Sequence, residues 1–210
     1  MHKWLLVLFG FIHINAYSEI GTISELRGNG EILRADQSDR LLATTDLDIL
    51  SYDDVRTGNG RIGIEFLDSS VIRLTEHSKI VIDEYIYDPD PSKSKMALQM
   101  ASGTARFITG ALGRINKENI SIRTPSATIA IRGTDFTTTV DEIGRSLIIL
   151  LPKPDGTSSG EITVETMAGI EILNEPYQAT MVSVSESPPT KPVQLLNMSL
   201  NFIDNLLIVN

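Results

Sequence analysis

Arg61-Ile62-Gly63-Ile64-Glu65-Phe66, then Leu67-Asp68-Ser69-Ser70, then Val71-Ile72-Arg73-Leu74 is the stretch on which the fold reading turns. Apolar and polar residues alternate on both sides of a short polar turn. That period of two is the mark of half-buried strands, each presenting one face to a core.

The same period runs outward in both directions from Ile20 onward. Lys79-Ile80-Val81-Ile82-Asp83 alternates and ends in Tyr85-Ile86-Tyr87, and residues 96–100, 105–109, 120–123, 136–140, 146–151, 161–166 and 170–173 continue the series. Turn chemistry separates them at Thr57-Gly58-Asn59-Gly60, Asp88-Pro89-Asp90-Pro91, Asp155-Gly156 and Ala168-Gly169. About ten short strands of this kind predict an all-β fold, a sandwich or β-roll. Residues 40–50 fit neither period and predict a short turn. Beyond the Pro-rich stretch 188–192, read as a linker, residues 193–210 (VQLLNMSLNFIDNLLIVN) place apolar side chains at helix-compatible spacing. This segment reads as a terminal helix over an open sheet face or as one last strand.

The N-terminus predicts export. Lys3 precedes an apolar run, WLLVLFGFI at positions 4–12, and Ile14-Asn15-Ala16 offers a cleavage site before Tyr17. About nine apolar residues are too few to span a bilayer, so residues 1–16 read as a signal peptide and the β domain as residues 17–187. The 210-residue chain has no cysteine, which excludes disulfides, thiolate metal sites and a cysteine nucleophile. Its net charge of −9 becomes −10 when the leader takes Lys3 with it. That balance argues against nucleic-acid binding and against docking on anionic lipid.

Little catalytic chemistry is legible. The one histidine after the leader, His77, sits between two strands and reads as an exposed turn residue; no nucleophile elbow accompanies it. A zinc site of several His or Cys ligands cannot be assembled. Asp83, Glu84, Asp88 and Asp90 lack the order of a calcium loop and read as a solvated hairpin. Residues 101–133 are locally basic, with Arg106, Arg114, Lys117, Arg123 and Arg132 against Glu118. These charges read as partners for the acidic remainder more than as an anion-binding face. No cofactor is expected.

The most unusual piece is Thr124-Pro125-Ser126-Ala127-Thr128-Ile129-Ala130-Ile131-Arg132-Gly133-Thr134-Asp135-Phe136. Small residues alternate with isoleucine, and Arg-Gly-Thr predicts a fixed bend with the Arg132 guanidinium tied to backbone carbonyls or a carboxylate. The stretch resembles the T-P-x-A-x-I-G-I-R-G-T-x-F segment of the FecR domain family. Tyr52-Asp53-Asp54-Val55-Arg56-Thr57-Gly58-Asn59-Gly60-Arg61 through Phe66-Leu67-Asp68-Ser69-Ser70 is similar to that family's G-D-x-V-x-T-G-x-x-G-x-x-x-x-x-F-x-D-G-S pattern. Gly103-Thr104-Ala105-Arg106-Phe107-Ile108-Thr109-Gly110 resembles its G-x-x-R-F-x-T-G segment. Ala130 and Ser69 stand where the family usually has glycine, and residues 152–159 look like an insertion.

On this resemblance the matching positions are Asp54, Thr57, Gly58, Gly60, Phe66, Asp68, Gly103, Arg106, Phe107, Gly110, Thr124, Pro125, Ile131, Arg132, Gly133, Thr134 and Phe136, expected to be structural. The family supplies no catalytic residues. Its namesake regulators are membrane-spanning relays between an iron transporter and a sigma factor. The resemblance here implies an exported FecR-type domain on its own, without those two roles. The expected function is a non-enzymatic binding or scaffold domain, periplasmic or secreted, for an envelope protein or glycan. The alternatives are a carboxylate-based glycan-active enzyme and a structural subunit of an extracellular or virion assembly.

Overall fold

The computed structural model describes residues 18–35, 40–88, 90–114 and 120–195. Its strands, in chain order, are β1 (Glu19–Arg27), β2 (Gly30–Leu33), β3 (Arg40–Leu42), β4 (Asp48–Leu50), β5 (Asp54–Thr57), β6 (Arg61–Phe66), β7 (Val71–Leu74), β8 (Lys79–Ile86), β9 (Lys95–Ile108), β10 (Ile120–Arg123), β11 (Thr128–Arg132), β12 (Asp135–Val140), β13 (Ser146–Leu150), β14 (Glu161–Thr166), β15 (Gly169–Leu173), β16 (Gln178–Val182) and β17 (Val193–Gln194). The fold is all-β, as the alternation predicts. Among the described residues no helix is long and apolar enough to cross a membrane.

The strands form two sheets. Sheet A runs β4–β1–β6–β7–β9–β12–β13–β16–β17. Sheet B runs β3–β2–β5–β8–β9–β10–β11–β14–β15. All neighbours are antiparallel except β9 and β10. The chain lays its hairpins alternately in the two sheets, so the inward side chains of both pack against each other. Ile23, Ile49, Ile64, Ile72 and Phe136 from sheet A join Ile32, Val55, Ile80, Ile82 and Ile129 from sheet B in one continuous core cluster. β-branched isoleucine suits these positions because it packs stiffly on a pleated surface, each buried copy contributing about 1.5–3 kcal/mol.

One strand belongs to both sheets. Residues 95–102 of β9 lie in sheet B beside β8 and β10, and residues 103–108 lie in sheet A beside β7 and β12. The crossover falls at Gly103, with φ +88. A Cβ there would stand 2.3 Å from the Ser78 hydroxyl and 2.4 Å from the Ser78 Cα. That close approach is used: Ser78 Oγ accepts from the Thr104 N–H and donates to the Thr104 carbonyl, both at 3.0 Å. The sequence expects two strands here, residues 96–100 and 105–109. It is instead a corner inside one strand, with the bulge that such corners require.

Residues 40–50, expected as a turn, carry the chain from sheet B to sheet A as β3, a bend with Asp46 at φ +64, and β4. The Pro-rich stretch lies against the sandwich. Met167 N–H donates to the Ser185 carbonyl, the Lys191 ammonium pairs with Glu171, and Thr190 exchanges hydrogen bonds with Thr180 and Met181. It runs beside β16 of sheet A, to which Thr190 bonds, and reaches β15 of sheet B through the Lys191–Glu171 pair. Residues 193–194 of the apolar C-terminal segment form β17; residues 196–210 of that segment and the leader lie outside the described residues.

The corner gives the first expected outcome. Gly103→Ala forces a Cβ into Ser78 at a left-handed φ and should cost about 2–4 kcal/mol. Urea unfolding followed by near-UV circular dichroism measures it, and an unchanged midpoint would overturn the role assigned to the corner.

Candidate functional site

The segments singled out in the sequence meet in space as internal braces. Asp68, only 2% exposed, is a hub. Its carboxylate accepts from Ser70 N–H at 3.1 Å, Ser70 Oγ at 2.7 Å, Leu112 N–H at 3.1 Å and the Tyr85 hydroxyl at 3.2 Å. Ser70 Oγ in turn accepts from the Gly110 N–H, and a Cβ on Gly110 would lie 2.1 Å from the Asp68 carbonyl oxygen. The ring of Phe66 stacks on Tyr85 at 5.4 Å. Burial, and after it the neighbouring Asp68 charge, push the Tyr85 hydroxyl far above its ordinary value of 10.0.

A second brace joins β9 to β12. Arg106 donates to both oxygens of Asp135, from Nε at 2.8 Å and Nη2 at 2.6 Å, and Phe107 stacks on Phe136 at 5.0 Å. Thr134, buried just before Asp135, accepts at its carbonyl from the Thr109 N–H and hydroxyl. Ile131 points into the core and Gly133 makes the bend between β11 and β12. Arg132, expected to be tied down, stands exposed at the end of β11, and its side chain makes no hydrogen bond or ion pair among the described residues. The tie expected of it is made by Arg106, whose side chain is the buried one. Strand alternation accounts for this: with Ile131 inward, Arg132 must point out.

Thr57 closes a third brace, its hydroxyl donating to the Thr75 carbonyl at 2.6 Å and accepting from the Ser78 N–H at 2.8 Å. Gly58 and Gly60 pack against Asn29 in the neighbouring turn. Asp54 faces outward and pairs with Arg56 and Lys79; the Asp54 hydrogen bond holds the Arg56 guanidinium above its usual value. The buried acid is its neighbour Asp53, which the sequence reading passed over. Asp53 takes the Arg34 guanidinium at 2.8 Å and the Leu50 N–H at 2.9 Å. The signal was available: Asp53 occupies the D of the G-D-x-V pattern. Two residues opposite glycines of that pattern, Tyr52 and Ser69, adopt φ +70 and +62. Ala130, the other glycine replacement, sits in regular strand between Ser121 and Thr163 and needs no such conformation.

What remains outside the braces is the outer face of sheet B. The Thr124–Ala127 turn closes the β10–β11 hairpin, with Thr124 Oγ1 accepting from the Ala127 N–H at 3.0 Å and from Ser146 Oγ at 2.8 Å. Three shallow grooves meet at Arg123, beside this turn. One, of about 650 Å³, is lined by Tyr52, Asp83, Glu84, Lys95, Ala97, Ser121, Arg123 and Thr128. A second, of about 400 Å³, runs over Gln99, Arg123 and Pro125. A third, of about 350 Å³, passes Pro125 and Thr128 to Glu165 and Met167. Asp83 pairs with Arg123 and accepts from Gln99 Nε2 at 2.6 Å, and Glu84 pairs with Lys95 at 2.7 Å. Of the basic stretch, Arg106 and Arg123 thus pair with carboxylates; Lys117 lies outside the described residues. His77 is exposed in its turn at φ +55. Among the described residues no cluster of three or more His, Asp or Glu is placed to hold a metal ion.

Residues 53–151 match the family model described as FecR protein. They are β5 to β13, the central five strands of each sheet. Two further strands flank them on each side of each sheet, β4 and β1 with β16 and β17 in sheet A, and β3 and β2 with β14 and β15 in sheet B. No curated protein matches the chain in sequence. Two crystal structures of a candidate anti-sigma factor from Parabacteroides distasonis are similar in fold, with TM-scores of 0.52 and 0.51 at 14% identity. The likeness covers 67% of this chain and 59% of the other, so this chain spans less than two thirds of its structural neighbour.

Two outcomes are expected of the braces. Arg106→Ala, which strands Asp135, should lose about 2–3 kcal/mol in chemical denaturation, whereas Arg132→Ala should stay within about 0.5 kcal/mol. Equal losses would contradict the assignment. The second concerns alkali. Tyr85 holds its proton more tightly folded than unfolded, so its contribution is complete below pH 10 and fades as pH rises past that value. The urea midpoint of the wild type should therefore fall more steeply above pH 10 than that of Tyr85→Phe; parallel profiles would rule out the coupling.

Proposed function

We propose, from the FecR protein family model that matches residues 53–151, that this chain is an exported, non-enzymatic binding module of envelope signalling. It recognises an envelope protein or glycan through the outer face of sheet B. The observation that carries this reading is the division of labour among its polar residues. Asp68, Arg106, Asp135 and Thr57 are consumed in internal braces, while the grooves around Arg123 are open and lined by polar side chains from β8, β9, β10, β11 and β14 and from the loops of Tyr52 and Ser185. Export is the reading supported by the leader-like run, Lys3 followed by the apolar residues 4–12. A signalling role is supported by the family and by the fold shared with the Parabacteroides protein.

Asp83 and Glu84, the two carboxylates that line the groove over β8, β9 and β10, are each engaged by a cation, which suits recognition better than a pair in which one acid must donate a proton. The test is cosedimentation of the full chain with wall-glycan and membrane fractions of the producing cell. Wild type should be retained on one fraction and Arg123→Glu should lose at least about tenfold in affinity. Release of soluble sugar from the fraction would establish an enzyme instead. No retention, or retention indifferent to Arg123→Glu, would remove the proposed face.

A further inference from the structure

Resting on the binding-module reading, we propose that the groove over β8, β9 and β10 takes an uncharged glycan chain, with the ring of Tyr52 as its stacking platform. Tyr52 is the informative residue. It stands opposite a glycine of the family pattern, keeps the left-handed backbone that glycine would supply, with φ +70, and leaves 51% of its surface exposed at the groove. A bulky residue in that conformation is strained where glycine would not be. The backbone is fixed there by the Tyr52 N–H, which donates to the Ile82 carbonyl at 2.7 Å, and by the buried Asp53 that follows. Local strain of this kind gathers where a side chain is presented for use.

The other lining residues specify the ligand's chemistry. Lys95 cancels Glu84 and Arg123 cancels Asp83, so the groove has no net charge to attract a polyanion or polycation. Asp83, Gln99 and Arg123 form a hydrogen-bonded row of planar groups, suited to pairs of adjacent hydroxyls, while an amphipathic tyrosine ring accepts the C–H face of a sugar. The floor is low at Ala97 and Ser121, and the second groove continues past Gln99 and Arg123 to Pro125. That continuity fits several linked sugars better than one. An extended peptide fits poorly. β8, β9 and β10 are interior strands whose two neighbours already take their backbone groups, so strand addition is closed and a peptide's own N–H and C=O groups would go largely unmatched.

The test is isothermal titration calorimetry of the full chain against cello-, malto-, manno- and chito-hexaose. An oligogalacturonate and an unstructured peptide serve as charged and peptidic controls. At least one neutral hexaose should bind, with an affinity that changes by less than about twofold between low and high salt. Tyr52→Gly should weaken it by more than about tenfold while melting at or above the wild-type temperature, and Tyr52→Trp should retain it. Ser69→Gly, which relieves the same backbone conformation away from the groove, should melt higher and bind as wild type does. Binding confined to the oligogalacturonate or the peptide overturns the proposal, as does affinity unaltered in Tyr52→Gly. If no neutral hexaose binds while Arg123-dependent retention on an envelope fraction persists, the glycan assignment fails and the broader binding reading stands.

Discussion

The sandwich depends on a single strand being shared. β9 pairs with β8 and β10 in one sheet and with β7 and β12 in the other, so neither sheet closes its centre without it. Two sheets packed only through side chains can slide; a backbone continuous through both fixes their offset. The Ser78–Thr104 hydrogen bonds and the bulge at Lys79 hold the corner. The Arg106–Asp135 pair lies three residues beyond Gly103 and locks the strand into its second sheet before it can fray.

The motifs that stand out in the sequence record one contact network. Phe66, Asp68 and Ser70 end at the loop of Gly110, which follows Arg106 and Phe107; these reach Asp135 and Phe136, which follow Thr134. Asp68, Ser70 and Arg106 each take part in a hydrogen bond to a segment distant in sequence. Removing a single member therefore leaves a desolvated partner, which costs more than the bond was worth. The outward-facing group of Asp54, Arg56 and Lys79 on sheet B lacks that leverage, because water competes for its charges.

Alternation made the fold class and most strands legible, because a half-buried strand must write its two faces into the chain. It could not say which sheet each hairpin joins, nor that Ser102-Gly103-Thr104 is a corner within β9, since both depend on pairing between distant segments. Arg132 shows a different failure. Its bend chemistry suggested a tie, yet the inward Ile131 beside it already placed it outside. The groove was the least legible feature: Asp83, Gln99, Arg123 and Thr128 are neighbours only through the register of four strands, one pairing of which is parallel.

Tyr52 and Ser69 pose the same backbone question with different answers. Both replace a glycine of the family pattern and both keep a left-handed φ, so the fold demands that conformation at each place whatever the residue. Ser69 sits in the exposed tip of the Asp68 turn, where a small polar side chain meets little and its strain is a tolerable drift. Tyr52 carries a large amphipathic ring to the mouth of a polar groove. A strained backbone that presents such a ring beside neutralised charges and a row of planar hydrogen-bonding groups is the arrangement a ligand covering the ring would use.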